Sequence, residues 1–474
     1  MPRGRDPAPV SDADGGTDTW RALLDVVDRA SQGPVVDEKV FDLEHVAAGI
    51  RRVVKDYEIT LDRDVIVQQD DAMIDRVWEA ALDFLASCGV YHADTGRVLL
   101  FTRNEIEEAL AAAPSEKIIG KGDDSRLLRH RGVEDPIPPL VSGGPIGTPL
   151  SEELYVPIMQ SYFQEPVIDT IVPGTLATTF GREVRSKSPL EIISSWQQVD
   201  LDFEAAERAG RPGLSIMAVE MSMSDLGHLS AIGGGGYRPT DTHIVAMIGE
   251  MKISSELLNK VAHSVRQGGV LLGFYNPILG GMAGPAEGVA VLITAGMVAL
   301  QLVYLVSSRC SCPTHPFNFN STDPEILRAA SAAMQALARN THLLTELMTS
   351  PVGGPGTETV LYESLAMATV ASVSGASRAL GVRSAAGVVR NHVTGLETRF
   401  NGEVARAAAG LTRDRADEIV RRAVAEFEPL LATRPVGVSF AEAYDPVTVQ
   451  PRPDWLAVYN QVKEKAHAWG LPVG

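Results

Sequence analysis

Four glycine-rich stretches are the first candidates for chemistry. They lie at 142–149 (SGGPIGTP), 233–236 (GGGG), 278–288 (ILGGMAGPAEG) and 351–359 (PVGGPGTET). A loop without side chains lets a bulky ligand approach the backbone, whereas Gly and Pro also punctuate ordinary turns. An ordinary turn is the simpler interpretation of each stretch alone, but four such loops at one end of a barrel would favour a ligand site. The predicted contacts are Gly144, Gly235, Gly281 and Gly354.

Acidic residues accompany these loops. They are Glu220, Glu250, Glu287, Glu358 and Glu363. Carboxylates at a pocket can hold a cationic amine or exchange protons with a substrate. Each residue also has a structural interpretation, as an acid at a helix N-terminus or on the surface. Glu287 and Glu358 are the strongest functional candidates because they lie within glycine-rich stretches.

A third candidate is the segment RCSCPTHP, which contains Cys310, Cys312 and His315. Zinc accepts these ligand types, but structural sites usually use C-x2-C pairs and four ligands. The spacing here is C-x-C-x2-H and no second cluster follows. Two small buried residues at a strand end are therefore the favoured interpretation.

Composition excludes several classes of protein. The 474 residues include 60 acidic and 42 basic side chains, for a formal net charge of -18. Such a charge disfavours binding to nucleic acid or to an anionic membrane. Three cysteines and no secretory leader predict a cytoplasmic protein without a disulfide framework. The apolar run at 288–308 is about long enough to span a bilayer, but its composition favours a helix followed by a buried strand in a large core.

The elements that must position these residues suggest four regions. Residues 1–40 have the composition of a disordered tail, and 41–115 show helical periodicity with a capping box at Thr102 and Glu105. Residues 116–411 alternate short apolar runs with long amphipathic stretches, and 412–474 contain two more amphipathic helices. A strand is predicted at 302–308, and helices at 242–265, 324–347 and 360–380. Alternating strands and helices of this number predict an α/β fold, a (β/α)8 TIM barrel with an N-terminal helical layer and C-terminal helices. An open doubly wound sheet is the alternative, although no G-x-G-x-x-G fingerprint supports dinucleotide binding.

Several longer segments resemble one known family. They include LASCGVYHADTGRVLLFTRNEI, VSGGPIGTPLSEELYVPIMQSY, VIDTIVPG, ILGGMAGPAEG, TGLETRFNGEVARAAAG and SFAEAYDPVTVQP. The chain resembles the monomethylamine methyltransferases of methanogenic archaea from about Met73 to its C-terminus. The resemblance implies a (β/α)8 barrel and a homo-oligomer of hexamer size or smaller. It also implies transfer of a methyl group from an amine to the cobalt of a separate corrinoid protein, with the glycine-rich loops binding the corrinoid.

The family carries pyrrolysine, whose imine captures methylamine, and an ungapped placement puts that residue on Gly234. Glycine cannot form the adduct. In the same placement, family acids correspond to Glu287 and Glu250, and a family glutamine to Met367. The resemblance without pyrrolysine implies a betaine-like quaternary or tertiary amine as substrate, since a quaternary ammonium already carries its positive charge and leaves as a neutral amine.

The sequence offers groups for such a substrate. Tyr237, Phe274 and Tyr275 are candidates for cation–π contact with the ammonium, Arg238 for binding a carboxylate, and Glu358 for contact with the amine. Barrel packing is the alternative role for the aromatic residues. Two other hypotheses remain at this point: a non-catalytic amine-binding barrel, and zinc-dependent methyl transfer to a thiol through the segment RCSCPTHP.

Overall fold

Eight parallel strands form a closed barrel in this computed structural model, which describes residues 17–218 and 224–474. Each strand pairs with the next in the chain, and the last pairs with the first through Ala379 and Val141. The strands are β1 (Leu140–Gly143), β2 (Thr170–Ile171), β3 (Ser215–Ala218), β4 (Thr242–Ala246), β5 (Val270–Tyr275), β6 (Ser308–Ser311), β7 (Thr345–Met348) and β8 (Arg378–Leu380). The prediction of a (β/α)8 barrel is confirmed.

Helices surround the barrel and extend it at both termini of the chain. The N-terminal layer contains α1 (Thr17–Gln32), α2 (Ala48–Asp56), α3 (Asp71–Cys88) and α4 (Arg103–Ala112). The helices that follow the barrel strands are α5 (Glu152–Phe163), α6 (Pro189–Arg208), α7 (Asp225–Ala231), α8 (Ser255–Arg266), α9 (Ala286–Tyr304), α10 (Pro324–Asn340), α11 (Glu358–Val373) and α12 (Gly395–Ala407). The last two long helices are α13 (Arg413–Phe427) and α14 (Pro453–Ala468).

Alternation along the strands divides the barrel interior from the layer under the helices. One buried cluster joins side chains from different strands, among them Met217, Ile244, Leu272, Cys310 and Leu380. Such inward-facing side chains fill a barrel of this size, so its centre is a packed core rather than a pore. Room for a ligand is therefore expected only where the strands end.

The N-terminal layer begins earlier than the composition suggests. Helix α1 lies inside the segment 1–40 that was predicted to be a disordered tail, and it buries Leu23 and Val26. Its polar residues face solvent, which lowers the average hydrophobicity of the segment and hides the apolar stripe. The capping box of α4 is present as predicted, with the backbone N–H of Thr102 donating to Glu105 over 2.7 Å.

The long apolar run forms helix α9, followed by β6, as the sequence analysis expects. This helix is long and apolar enough to cross a membrane, and 94% of its most apolar window is buried inside the protein. Leu305 ends it in the left-handed conformation, with φ of 53°. The strand was predicted at residues 302–308 but starts only at Ser308, because the helix continues to Tyr304.

Three strands were predicted as parts of long helices. Strand β4 was merged with helix α8, β7 with the end of α10, and β8 with the end of α11. Strands β7 and β8 contain four and three residues, so they are too short to show a period of two. All three are almost wholly buried, and a short buried strand has the same composition as a turn of core helix.

Candidate active site at the barrel mouth

A cavity of about 500 Å³ opens at the carboxyl ends of the strands. This is the end at which (β/α)8 enzymes hold their substrates, because the loops after all eight strands converge there. The lining side chains come from these loops and from the last residues of the strands: Ile146, Val172, Thr175, Ile244, Ala246, Phe274, Asn276, Cys312, Thr314, Phe319, Met348, Arg383, Ala386 and Val388. Most of this wall is apolar, so a bound ligand would make mainly apolar contacts and displace water.

Two aromatic rings and one cation stand out in the wall. Phe274 is half-buried near the end of β5, and Phe319 is exposed in the loop after β6. Arg383, after β8, is the one charged side chain among the described lining residues. The described wall therefore carries a guanidinium and no carboxylate.

The polar lining groups near β6 are mostly engaged with one another. The backbone N–H of Cys312 donates to Asn276 Oδ1 over 2.7 Å, and the Thr314 hydroxyl donates to the Cys312 carbonyl over 2.8 Å. Burial raises the pKa of the Cys312 thiol to about 11, so the sulfur is a neutral thiol near neutral pH. This side of the cavity therefore offers polar surface but no strong nucleophile.

Phe274 is the predicted substrate-binding side chain that lies in the cavity wall. Gly144 lies just outside it, at the end of β1 with φ of 136°, and a Cβ there would collide with the Val172 carbonyl. Only glycine fits that approach of two strand ends. Gly281 is exposed in the loop after β5, also at the carboxyl end, whereas Gly354 packs against the backbone of Val436 in the C-terminal segment.

The tetraglycine lies at the opposite end of the barrel, which corrects the placement of Gly234 and Gly235. Both residues are exposed in the loop between α7 and β4, and loops that precede strands lie at the amino end. They border a separate groove of about 410 Å³ with Trp196 and Asp200. Gly234, on which the ungapped placement put the reactive position of the family, is therefore not at the mouth.

Tyr237 and Arg238, which were predicted to contact the substrate, follow the tetraglycine and lie away from the mouth cavity. The Tyr237 hydroxyl donates to buried Asp202 over 2.6 Å. Arg238 donates to both carboxylate oxygens of Asp241, over 2.8 and 3.0 Å. Both side chains are thus held by structural partners at the amino end.

Tyr275 and Met367 were also predicted in the pocket, and both face away from it. Tyr275 follows Phe274 on β5, so its ring points outward and packs flat on Gly296 of α9. Met367 is fully buried within α11, among the helices outside the barrel.

The predicted acids that the structure describes do not line the cavity. Glu287 accepts a hydrogen bond from the backbone N–H of Leu61 over 3.4 Å, which ties α9 to the N-terminal layer. Glu358 contacts the C-terminal helix α14 through Gln461, at 3.0 Å, and Lys465, at 3.5 Å. Both are helix-terminal acids with surface or packing roles.

Two further acids lie close to the mouth but underneath its loops. Glu250 is buried beside Gly281, and burial raises the pKa of its carboxyl. Glu363 accepts from the backbone N–H groups of Val352 and Gly353, each over 2.9 Å, and thereby shapes the loop after β7. Glu220 lies outside the described residues.

The zinc hypothesis lacks a geometric basis. Cys310 and Cys312 are buried and free, and His315 Nδ1 accepts from the backbone N–H of Phe317 over 3.3 Å. Within residues 17–218 and 224–474, no three His, Cys, Asp or Glu side chains are grouped so that they could hold a metal ion.

Sequence reasoning missed the most distinctive residue of the cavity, Arg383. Its signal was present, since Arg383 lies three residues after the end of β8, but β8 had been assigned to a helix. Phe319 and Asn276 were missed for a different reason: no motif surrounds them, and only the fold brings their loops to one mouth.

The chain is similar to known proteins over almost its whole length. The sequence model of the family described as monomethylamine methyltransferase MtmB matches residues 22–471. The chain belongs to the MtmB family. Monomethylamine methyltransferase MtmB2 of Methanosarcina acetivorans is 32% identical over 448 residues, which is 94% of this chain and 97% of that protein. MtmB2 of Methanosarcina barkeri is 33% identical over the same shares of the two chains.

Solved MtmB structures have the same architecture. The crystal structure of Methanosarcina barkeri MtmB matches with a TM-score of 0.92 at 32% identity, covering 95% of this chain and 98% of that chain. A crystal structure of the hydroxylamine complex of MtmB matches equally well. The protein is accordingly a methyltransferase of the MtmB family with a TIM barrel fold.

Proposed function

We propose that this MtmB-family methyltransferase moves a methyl group from a quaternary or tertiary methylated amine to the cobalt of a corrinoid carried by a partner protein, without pyrrolysine. The observation that carries the proposal is the cavity of about 500 Å³, whose described walls are apolar and aromatic. None of the described lining side chains forms a covalent adduct with an amine. Monomethylamine would fill little of such a volume.

The absence of pyrrolysine does not rest on Gly234. It is supported by the printed sequence, which places one of the twenty standard amino acids at every position. Mass spectrometry of peptides that cover residues 214–238 of the purified protein tests this part directly. A peptide whose mass requires pyrrolysine in place of one of these residues would overturn it.

The chemistry of the substrate explains how such a site manages without a covalent adduct. When the cobalt(I) of the corrinoid attacks the methyl carbon, the carbon–nitrogen bond breaks as the carbon–cobalt bond forms, and the bonding electron pair stays on nitrogen. A quaternary ammonium departs as a neutral tertiary amine, so no proton has to be supplied to the leaving group. A tertiary amine reacts as its protonated ammonium form, which already carries the proton, and departs as a neutral secondary amine. The protein's part is to desolvate the cation and to orient one methyl group towards the opening.

Aromatic and polarisable side chains in the wall suit this task. Phe274 and Phe319 present rings to the cavity, and a desolvated cation gains about 0.5 to 2 kcal/mol from each favourable cation–π contact. Met348 adds a polarisable apolar surface at the end of β7. Such a wall binds a methylated ammonium better than a small hydrated amine.

The rim of the mouth supports the docking of a partner protein. Large apolar side chains are exposed in the loops that follow the strands: Phe180, Ile248, Ile278, Phe317, Phe319 and Val388. Phe317 is the most exposed of these, at 82%. Exposed apolar side chains clustered around an opening are typical of an interface, and we assign this rim to the corrinoid protein.

A panel assay tests the function. Purified protein is incubated with reduced cob(I)alamin and each of several methylated amines, and methyl-cobalt(III) absorbance is followed. We expect methylation with quaternary or tertiary amines and little with monomethylamine. Binding of amines without any methyl transfer would instead identify a non-catalytic amine-binding barrel. The predictions of a cytoplasmic location and of a homo-oligomer belong to the same proposal.

A further inference from the structure

Arg383 occupies an unusual position for a charged side chain. It is partly buried in the cavity wall, and its Nε donates to the Ile146 carbonyl over 3.2 Å. Within the described part of the chain, this is the one hydrogen bond of the guanidinium, and no carboxylate lies within 4 Å of the guanidinium nitrogens. Burial lowers the pKa of the guanidinium, but an arginine remains a cation at neutral pH.

The surrounding loop holds the guanidinium in place. A Cβ at Gly387 would collide with the Arg383 guanidinium, so the side chain lies directly over that glycine. Ala385 and Ala386 both adopt the left-handed conformation, with φ of 50° and 52°. Each such residue costs roughly 1 to 2 kcal/mol relative to the right-handed form.

Backbone hydrogen bonds maintain this strained turn. The N–H of Ala385 donates to the Gly353 carbonyl and that of Ala386 to the Pro351 carbonyl, each over 2.7 Å. Backbone strain of this kind persists where surrounding structure enforces it, and it concentrates at ligand sites. The loop after β8 is thus built around the position of Arg383.

An unpaired cation in an apolar wall calls for an anionic ligand. Burying a charge without a partner is costly, whereas pairing it with a carboxylate through two parallel hydrogen bonds is favourable. Phe274 and Phe319 line the same cavity and suit the opposite charge. The wall therefore complements a molecule that carries an ammonium and a carboxylate.

We propose that Arg383 binds the carboxylate of the substrate, so that the cavity selects N-methylated amino acids over uncharged or purely cationic methylamines. This inference rests on the proposed function, because it names the substrate class of the same site. It also replaces Arg238, which its ion pair with Asp241 holds at the other end of the barrel.

Calorimetry with matched ligands tests the inference independently of methyl transfer. Glycine betaine, dimethylglycine and proline betaine are compared with choline and tetramethylammonium, which keep the cation but lack the carboxylate. We expect the wild-type protein to bind at least one carboxylate-bearing ligand about tenfold or more tightly than choline, the range of a charge-assisted hydrogen bond. Equal or weaker binding of every carboxylate-bearing ligand would overturn the inference.

Three variants assign the selectivity to Arg383. Arg383→Gln should abolish the preference for the carboxylate while choline binding stays within twofold, and Arg383→Lys should restore part of it. Gly387→Ala keeps the arginine but displaces its guanidinium, so it should also reduce the preference. Arg390→Gln removes an exposed arginine in the same loop region and should change nothing. Unchanged selectivity in Arg383→Gln would refute the assignment.

The cobalamin assay separates the two proposals. Arg383-dependent binding without methylation of cob(I)alamin would leave the inference standing and remove the proposed function. Methylation from choline as efficient as from glycine betaine, with no effect of Arg383→Gln, would support the proposed function and remove the inference about Arg383.

Discussion

The two ends of this barrel both present loops rich in glycine, aromatic and charged residues, but their polar groups have different surroundings. Tyr237 reaches from the amino end to Asp202 of α6, which accepts hydrogen bonds from the hydroxyls of Tyr237, over 2.6 Å, and of Tyr155 in α5, over 2.9 Å. Arg238 is held by Asp241 and by two backbone carbonyls. At the carboxyl end, the Arg383 guanidinium has a single carbonyl partner among the described residues and faces a cavity.

Whether a polar group already has partners distinguishes structural residues from ligand-binding residues better than the residue type does. Polar groups that satisfy one another stabilise a loop and leave nothing for a ligand, whereas a group with spare hydrogen-bonding capacity can bind one. The tetraglycine is the more conspicuous feature of the sequence, but the residues that follow it, Tyr237 and Arg238, already have hydrogen-bond partners in Asp202 and Asp241. The loops at the mouth contain no obvious motif, but they hold a guanidinium with spare hydrogen-bonding capacity.

The largest expected effect comes from filling each end in turn. Ala246→Trp places a large ring inside the mouth cavity, and we expect methyl transfer to cob(I)alamin to fall by about 100-fold or more because the substrate is displaced. Gly234→Asn at the other end should leave the rate within twofold, since a Cβ there meets open space and Asn tolerates a positive φ. Circular dichroism verifies folding. A collapse of activity in Gly234→Asn would return the tetraglycine to the active site.

A tenfold effect is expected at the rim. Phe317→Ser should reduce the rate of methyl transfer to the corrinoid protein by about tenfold, because an exposed apolar anchor can dominate an interface. The rate with free cob(I)alamin should not change. Val447→Ser removes another exposed apolar side chain, 91% exposed and outside the mouth loops, and serves as the control. Equal losses with protein-bound and free cobalamin would show that Phe317 acts on the site rather than on docking.

A smaller effect tests the aromatic wall. Phe274→Leu keeps an apolar side chain but removes the ring, so the affinity for a quaternary ammonium should fall by roughly 2- to 30-fold, as expected for cation–π contact. The comparison is Phe203→Leu, whose ring packs against Arg238 of the amino end. The guanidinium carbon of Arg238 lies 5.4 Å from the centre of the Phe203 ring. Calorimetry measures both. If Phe203→Leu weakened binding as much, the contrast between the two ends would fail.

The amino end should respond to pH through stability rather than activity. Burial raises the pKa of Asp202 to about 7 from a usual value of 3.8, so the folded state favours the protonated acid. Its stabilising contribution is therefore complete below about pH 4 and is lost as the pH rises to about 7. Between pH 5 and pH 8, urea unfolding should show a loss of stability that is smaller in Asp202→Asn, by on the order of 1 kcal/mol. An identical pH dependence in the two proteins would contradict this role.

The sequence by itself determined the architecture and the family. Both can be recognised from patterns among residues that are close in the sequence. Such patterns are the alternating strands and helices, the capping box at Thr102 and Glu105, and the long segments shared with the methyltransferases. Short buried strands such as β8 escaped detection because three residues carry no periodicity.

Only the tertiary structure decided which residues form the site. Closing the barrel sends the loops before strands to one end and those after strands to the other, so the tetraglycine and Arg383 are separated by the whole length of the strands. Closure also brings the Leu214 carbonyl to the Arg238 guanidinium and leaves Arg383 facing a cavity. Whether a side chain has a partner depends on contacts between distant parts of the chain, and no local pattern records them.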